Sequence, residues 1–196
     1  MTEATARPAA RFPVGLTITT VICFVILVGL GVWQLQRLKW KEGILAHVAA
    51  LQTAKAVDIG PVLDRLAHGA DVDYTRVTAV CPGLATAPFL QLYAIQDEGG
   101  RGQAGWRLIS ACPVQSAAYR TILVDRGFVP DTVQARPKVD PADTTPVTLT
   151  GILRKPDRPS FVAPKNRPGH WFSRDAPAMA RTLAAPDPAP VFLYAE

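Results

Sequence analysis

Residues 13–36 contain no Asp, Glu, Lys or Arg, and this run limits what the chain can fold into more than any other stretch. At about 1.5 Å rise per residue it would form a helix about 36 Å long, enough to cross a hydrocarbon core with some tilt. A transmembrane helix is therefore expected over residues 13–36. A cleaved signal peptide is the competing reading, because Arg7 and Arg11 precede the run. The run is longer than the roughly 7–15 residues of a signal-peptide core, and the small residues Val48, Ala49 and Ala50 lie beyond Arg37, Lys39 and Lys41. An uncleaved anchor fits better.

The anchor divides the rest of the chain. Residues 1–12 carry Glu3, Arg7 and Arg11 with too few apolar side chains to fold, and read as a mobile cytoplasmic tail. Over residues 37–56 a helical stripe of Leu38, Ile44, Leu45, Val48 and Leu51 continues past the membrane surface as a juxtamembrane helix. Trp33 and Trp40 then bracket the interface, where an indole is well placed; they serve as anchors there or as a docking surface for a membrane partner. Charge alone leaves the orientation open, with Arg37, Lys39 and Lys41 slightly favouring the second end as the cytoplasmic one.

Residues 57–196 suffice for one domain with its own core. With 18 Pro and 14 Gly in the chain, this part is expected to consist of many short elements joined by turns. Strands are expected at residues 75–80, 89–95, 107–112, 120–125, 147–153 and 191–194, and short helices at 61–67 and 175–183. Gly99 and Gly100 read as a hairpin turn, and Pro186, Pro188 and Pro190 as breakers of regular structure. The strand at 147–153 alternates most clearly, implying one face on a core and one toward polar surroundings. The fold class that follows is α+β: one N-terminal transmembrane helix, then a β-rich antiparallel sheet or barrel-like soluble domain with short helices.

The net charge of +5 and pI of about 9.4 raise nucleic acid as a partner. The basic residues fall in small groups, Arg37/Lys39/Lys41, Arg154/Lys155/Arg158 and Lys165/Arg167, with no basic stripe interleaved with aromatics, so nucleic acid is excluded. The first group, beside the span, suits anionic headgroups. Cys23, Cys81 and Cys112 have no zinc or redox spacing with each other or with His47, His68 and His170. Cys81 and Cys112 either pair in an oxidising compartment or remain two small buried thiols. Ser110, Ser116, Ser160 and Ser173 lie in no G-x-S-x-G context. His170 near Asp175 is the nearest approach to a hydrolytic pair and reads as a surface or structural residue. Asp125-Arg126-Gly127-Phe128-Val129-Pro130 is the most distinctive soluble segment: a strand end with a local ion pair and a bulge, or a loop facing a partner or ligand.

Four segments in order, Gly31-Val32-Trp33-Gln34-Leu35-Gln36-Arg37-Leu38-Lys39-Trp40-Lys41, Val124-Asp125-Arg126-Gly127-Phe128-Val129-Pro130, Leu149-Thr150-Gly151-Ile152-Leu153-Arg154, and Asn166 with Trp171 and Asp175, resemble the surfeit locus protein 1 family. These are membrane proteins that assist assembly of haem-copper cytochrome c oxidase. The resemblance makes Gly31, Trp33, Gln34, Arg37, Trp40, Arg126, Gly127, Pro130, Asn166 and Trp171 the family-motif or partner-facing residues. It implies a non-enzymatic assembly factor whose partners are the lipid bilayer and the oxidase subunits, above all the subunit bearing haem a. It further implies transient binding of haem a, and an N-terminus in the bacterial cytoplasm or mitochondrial matrix with the β-rich domain in the periplasm or intermembrane space. The alternative is a membrane-anchored periplasmic binding or scaffold module unrelated to haem; an anchored hydrolase ranks third. Members of the family usually carry a second transmembrane helix near the C-terminus, where the proposed haem-ligating histidine lies. Residues 1–196 hold no second apolar run, which reads as a truncated product or a short member, and no haem ligand is assigned.

Overall fold

A 40-residue helix, α1 (Val14–Thr53), carries both the uncharged run and the stripe that follows it, with no break between them. In this computed structural model residues 14–157, 164–167 and 169–196 are described. The tail expected over residues 1–12, together with Arg158 and Ser160, lies outside them. The helix is long and apolar enough to cross a membrane, and its apolar side chains stand open, Leu16 and Phe24 among them. Such a surface is unfavourable in water and matched by lipid. The hydroxyls of Thr19 and Thr20 donate to the carbonyls of Gly15 and Leu16 one turn back, so neither needs water.

The chain forms two compact units, one ending at His47 and the other spanning Val48–Glu196. The second contains β1 (Val57–Asp58), α2 (Ile59–Ala67), β2 (Arg76–Pro82), β3 (Phe89–Glu98), β4 (Arg101–Pro113), β5 (Thr121–Pro130), β6 (Pro146–Arg154), α3 (Ala176–Thr182) and β7 (Pro188–Ala195). Asp58 caps α2 by accepting from the Gly60 amide at 2.9 Å, and Asp175 caps α3 by accepting from Ala178 at 3.0 Å, as short helices with few internal bonds require. Gly99 and Gly100, both at positive φ, turn β3 into β4.

The strands form one sheet in the order β1-β2-β6-β7-β5-β4-β3. Most pairs are antiparallel, as expected, but β1 with β2 and β5 with β7 are parallel, so the sheet is mixed. The first parallel pair is made by the crossover through α2. The second arises because β7 inserts between β5 and β6. The prolines expected to end regular structure, Pro188 and Pro190, lie inside β7. They are tolerated because β6 joins β7 only from Phe192 onward, leaving the proline end a neighbour on one side alone.

The sheet is strongly curled. Strands β2 and β4 are four steps apart in the order, about 19 Å across a flat sheet. Yet Cys81 on β2 and Cys112 on β4 form a disulfide with their Cα atoms 5.2 Å apart. The face on which they meet is therefore the concave one. It holds Val77, Ala79, Ile122, Val124, Leu153, Val191 and Leu193 with Ile59, Val62 and Leu63 of α2. The convex face holds Leu92, Ile109, Leu123 and Phe192 under Met179 and Ala176 of α3, with Trp171 from the segment before it. The alternation expected for residues 147–153 holds, with Gly151 and Leu153 buried between half-buried neighbours. Residues 121–125 instead are buried on both faces, because each face of β5 has a cover.

Candidate functional site

Strand β5 sends alternate side chains to opposite faces, so Asp125 and Arg126 part company. Asp125 lies on the convex face with its side chain fully buried. A buried carboxylate is costly unless it is paired and hydrogen-bonded, and three groups supply that. Arg107 of β4 donates from Nε at 2.6 Å and Arg174 from Nη2 at 2.9 Å, both to Oδ2, while the Gly127 amide donates to Oδ1 at 3.2 Å. The local ion pair expected between Asp125 and Arg126 is thus replaced by two long-range ones.

Arg126 turns to the concave face, where its Nη2 donates to the Ala85 carbonyl at 2.8 Å and its Nη1 approaches the Ser110 hydroxyl at 3.4 Å. Burial there pushes its pKa down. The expected bulge is present. Two residues of β5, Arg126 and Gly127, stand where β4 supplies only Leu108. Gly127 has φ +118°, with open space where a Cβ would sit, so the backbone conformation rather than crowding demands glycine. The strand continues beyond the bulge to Pro130, its last paired residue, rather than ending at Asp125.

Arg174 is delivered by a strap, residues 164–167 and 169–175. Asn166 folds it: its Oδ1 accepts from the amides of Phe172 and Ser173 at 2.8 and 3.0 Å, and its Nδ2 donates to the Ser173 carbonyl at 3.1 Å. Trp171 pins the strap to the outer edge of the sheet, since the Tyr93 amide donates to its carbonyl at 2.8 Å and its side chain is 5% exposed. Asn166 and Trp171 therefore act on the cluster by positioning Arg174. His170 is exposed and pairs with Arg167 through the backbone, while the Asp175 carboxylate serves as a helix cap.

Tyr194 of β7 completes the cluster. The guanidinium carbons of Arg174, Arg107 and Arg154 lie 4.9, 5.4 and 5.9 Å from its ring centre, within cation–π range. Arg154 also stacks on Tyr74 at 4.2 Å, and its Nε lies 3.4 Å from Asp73. Burial pushes the Tyr194 hydroxyl's pKa up, against the opposing pull of Arg174. Three guanidinium groups thus share two carboxylates on one patch. Asp125 and Arg154 fall in segments the sequence singles out, but nothing local joins them to positions 73, 107, 174 and 194; the strand phase, the strand order and the strap bring the six together.

On α1, Trp33, Arg37 and Trp40 lie along one helix face at i, i+4 and i+7, with the Arg37 guanidinium 5.3 Å from the Trp33 ring. Gln34 falls on the adjacent face, and a Cβ at Gly31 would meet nothing within 4 Å. These residues and the Asp125 cluster belong to separate units. Among the described residues no three His, Cys, Asp or Glu side chains stand together as metal ligands.

Comparison with known proteins gives one consistent result. A family model described as the SURF1 family matches residues 21–196. Surfeit locus protein 1 of Homo sapiens is 30% identical over 187 residues, covering 85% of this chain and 58% of the human protein. The Mus musculus protein of the same name is 28% identical over 190 residues, 86% of this chain and 57% of its own. A SURF1-like protein of Caenorhabditis elegans is 29% identical over 175 residues, 78% of this chain and 52% of its own. The chain spans little more than half the length of these relatives.

Proposed function

The chain belongs to the SURF1 family, and on that premise we propose that it is a membrane-anchored, non-enzymatic assembly factor for haem-copper cytochrome c oxidase that assists the haem a-bearing subunit. The observation that carries this reading is the extent of the family match, which takes in both most of α1 and the whole β-rich unit. The motif residues of that unit support it. Arg126, Gly127, Asn166 and Trp171 shape strands and strap rather than presenting a nucleophile and base. What remains to offer a partner is surface: Trp33, Arg37 and Trp40 on the anchor, and the arginines around Tyr194.

The anchor lies in the bacterial inner membrane, or the mitochondrial inner membrane, with its N-terminus in the cytoplasm or matrix. The Cys81–Cys112 disulfide supports placing the β-rich unit on the oxidising side, since such bonds persist there and are rare in reducing compartments. Haem a would be cargo rather than a resident cofactor. The histidines here do not build an axial-ligand pocket: His170 and His68 are exposed, with His68 Nδ1 engaged by the Asp64 carbonyl, and His47 lies on α1.

Deleting the gene should lower assembled oxidase and its haem a absorbance while transcripts of the oxidase subunits persist. Normal oxidase spectra in a deletion strain that has no second copy would sink the proposal.

A further inference from the structure

The cluster around Tyr194 has more donors than acceptors. Each guanidinium offers five N–H groups and no acceptor. Among the described residues Arg107 donates only from Nε, to Asp125, and Arg174 only from Nη2, to the same oxygen. Among the described residues the Arg154 guanidinium makes no hydrogen bond, and its one ionic neighbour is Asp73 at 3.4 Å. The Nε atoms of Arg154 and Arg174 are buried and have no hydrogen-bond partner among the described residues. Buried polar groups are nearly always matched, so two orphaned cationic donors beside one ring call for an acceptor from elsewhere.

The charge count agrees with the donor count. Arg107, Arg154 and Arg174 face Asp125 and Asp73, one negative charge short of balance. Of the neighbouring charges, Arg76 is paired with Glu196 at 2.6 Å and Lys155 with Asp71 at 2.9 Å, while Asp157 and Asp175 line one hollow with Arg174 but are not among its ion-pair partners within the described residues, and Asp175 caps α3. The cluster is open enough to be reached, the three side chains being 25, 30 and 18% exposed. The guanidinium fork matches the two coplanar oxygens of a carboxylate, and the rings of Tyr74 and Tyr194 hold the forks in place.

We propose that Arg107, Arg154 and Arg174, arrayed around Tyr194, form a binding site for a single carboxylate. The proposal rests on this geometry alone and is independent of the oxidase reading. The carboxylate comes either from a small organic acid or from the C-terminus of a bound polypeptide, two sources with the same recognition chemistry.

The full chain in detergent micelles, labelled with 15N at arginine, is titrated with sodium acetate against sodium chloride at equal ionic strength and fixed pH. The expected result is a saturable shift of the Nε–Hε resonances of Arg154 and Arg174 with acetate and not with chloride. Arg154→Gln leaves the Asp125 pairs intact and should weaken acetate binding about tenfold, the loss of one charge-assisted fork. In a second arm, a short peptide with a free C-terminus is compared with its C-terminal amide. Tighter binding of the acid form than of acetate identifies a polypeptide ligand; equal binding identifies a small acid. Responses to acetate no larger than to chloride, or undiminished acetate binding in a folded Arg154→Gln variant, overturn the proposal. Should that variant lose its native amide spectrum, the wild-type titration decides alone.

Discussion

At the scale of single residues, Asp125 is the point on which the convex face depends, because its side chain is wholly buried and both charge partners reach the same oxygen. Asp125→Asn keeps the shape but removes the charge, leaving Arg107 and Arg174 to share a neutral amide in a desolvated place. Breaking a buried pair in this way costs about 3–5 kcal/mol, and denaturant unfolding of the full chain should register a loss of that order. Asp125→Asn should also loosen Arg174 and the strap behind it, read as faster amide exchange at Phe172 and Ser173. The importance of the Asp125-Arg126-Gly127 segment was legible in the sequence, as was its bulge, because a glycine shortly before a proline that ends pairing marks a backbone free to take positive φ. The partners were not legible. Neighbours in a strand face opposite ways, and the residues that neutralise Asp125 lie 18 and 49 positions away, where only the strand order brings them near.

Among the elements, the helices and most strands followed from local signals: a proline in the first turn of one short helix with Gly69 beyond its end, a capping Asp175 before the other, paired glycines at the hairpin, alternation over residues 147–153. The strap did not, since its order comes from one side chain. Asn166 makes three hydrogen bonds to backbone groups six and seven residues on. Asn166→Ala should cost about 1–3 kcal/mol through the donors and acceptor it leaves unmatched. The loss should be local. Hydrogen exchange should quicken at Tyr93, whose amide depends on Trp171, while β2 amides on the far side of the sheet stay protected. The turn entering β6 carries a different dependence. Asp143 accepts from the Thr86 hydroxyl at 2.6 Å and the Thr145 amide at 2.8 Å, and these bonds, the Thr86 one foremost, hold its pKa at about 2 against an ordinary 3.8. A pKa lowered in the folded state stabilises fully above the unfolded value and is lost as pH falls through the folded one. The contribution of Asp143 should therefore fade between about pH 4 and pH 2. Asp143→Asn should flatten the acid limb of a melting-temperature profile in that window and leave the profile's shape near neutrality unchanged.

For the molecule as a whole, the curl of the sheet is what brings its two ends together, and the disulfide ties them covalently across that curl. The sequence left Cys81 and Cys112 as either a pair or two thiols, because their spacing says nothing until β2 and β4 are known to meet. Without the bond, β2 is connected to β4 only by way of β6, β7 and β5, with packing on the concave face holding the two together. The bond closes a loop between residues 31 positions apart, for which chain entropy assigns a stabilisation of roughly 3–4 kcal/mol. Replacing both cysteines with alanine should lower unfolding stability by about that amount, and the first amides to lose protection should be those of β1 and β2, the end of the sheet with fewest neighbours. The arginine cluster lies on the convex face, and its hydrogen bonds run among β4, β5 and the strap. The Nε–Hε resonances of Arg107 and Arg174, whose bonds to Asp125 lie away from β2, should therefore stay where they are in the double variant. If those resonances moved together with the β2 amides, the two faces would unfold as one cooperative unit, and the curl would have to be a condition for the cluster rather than a separate feature of the same sheet.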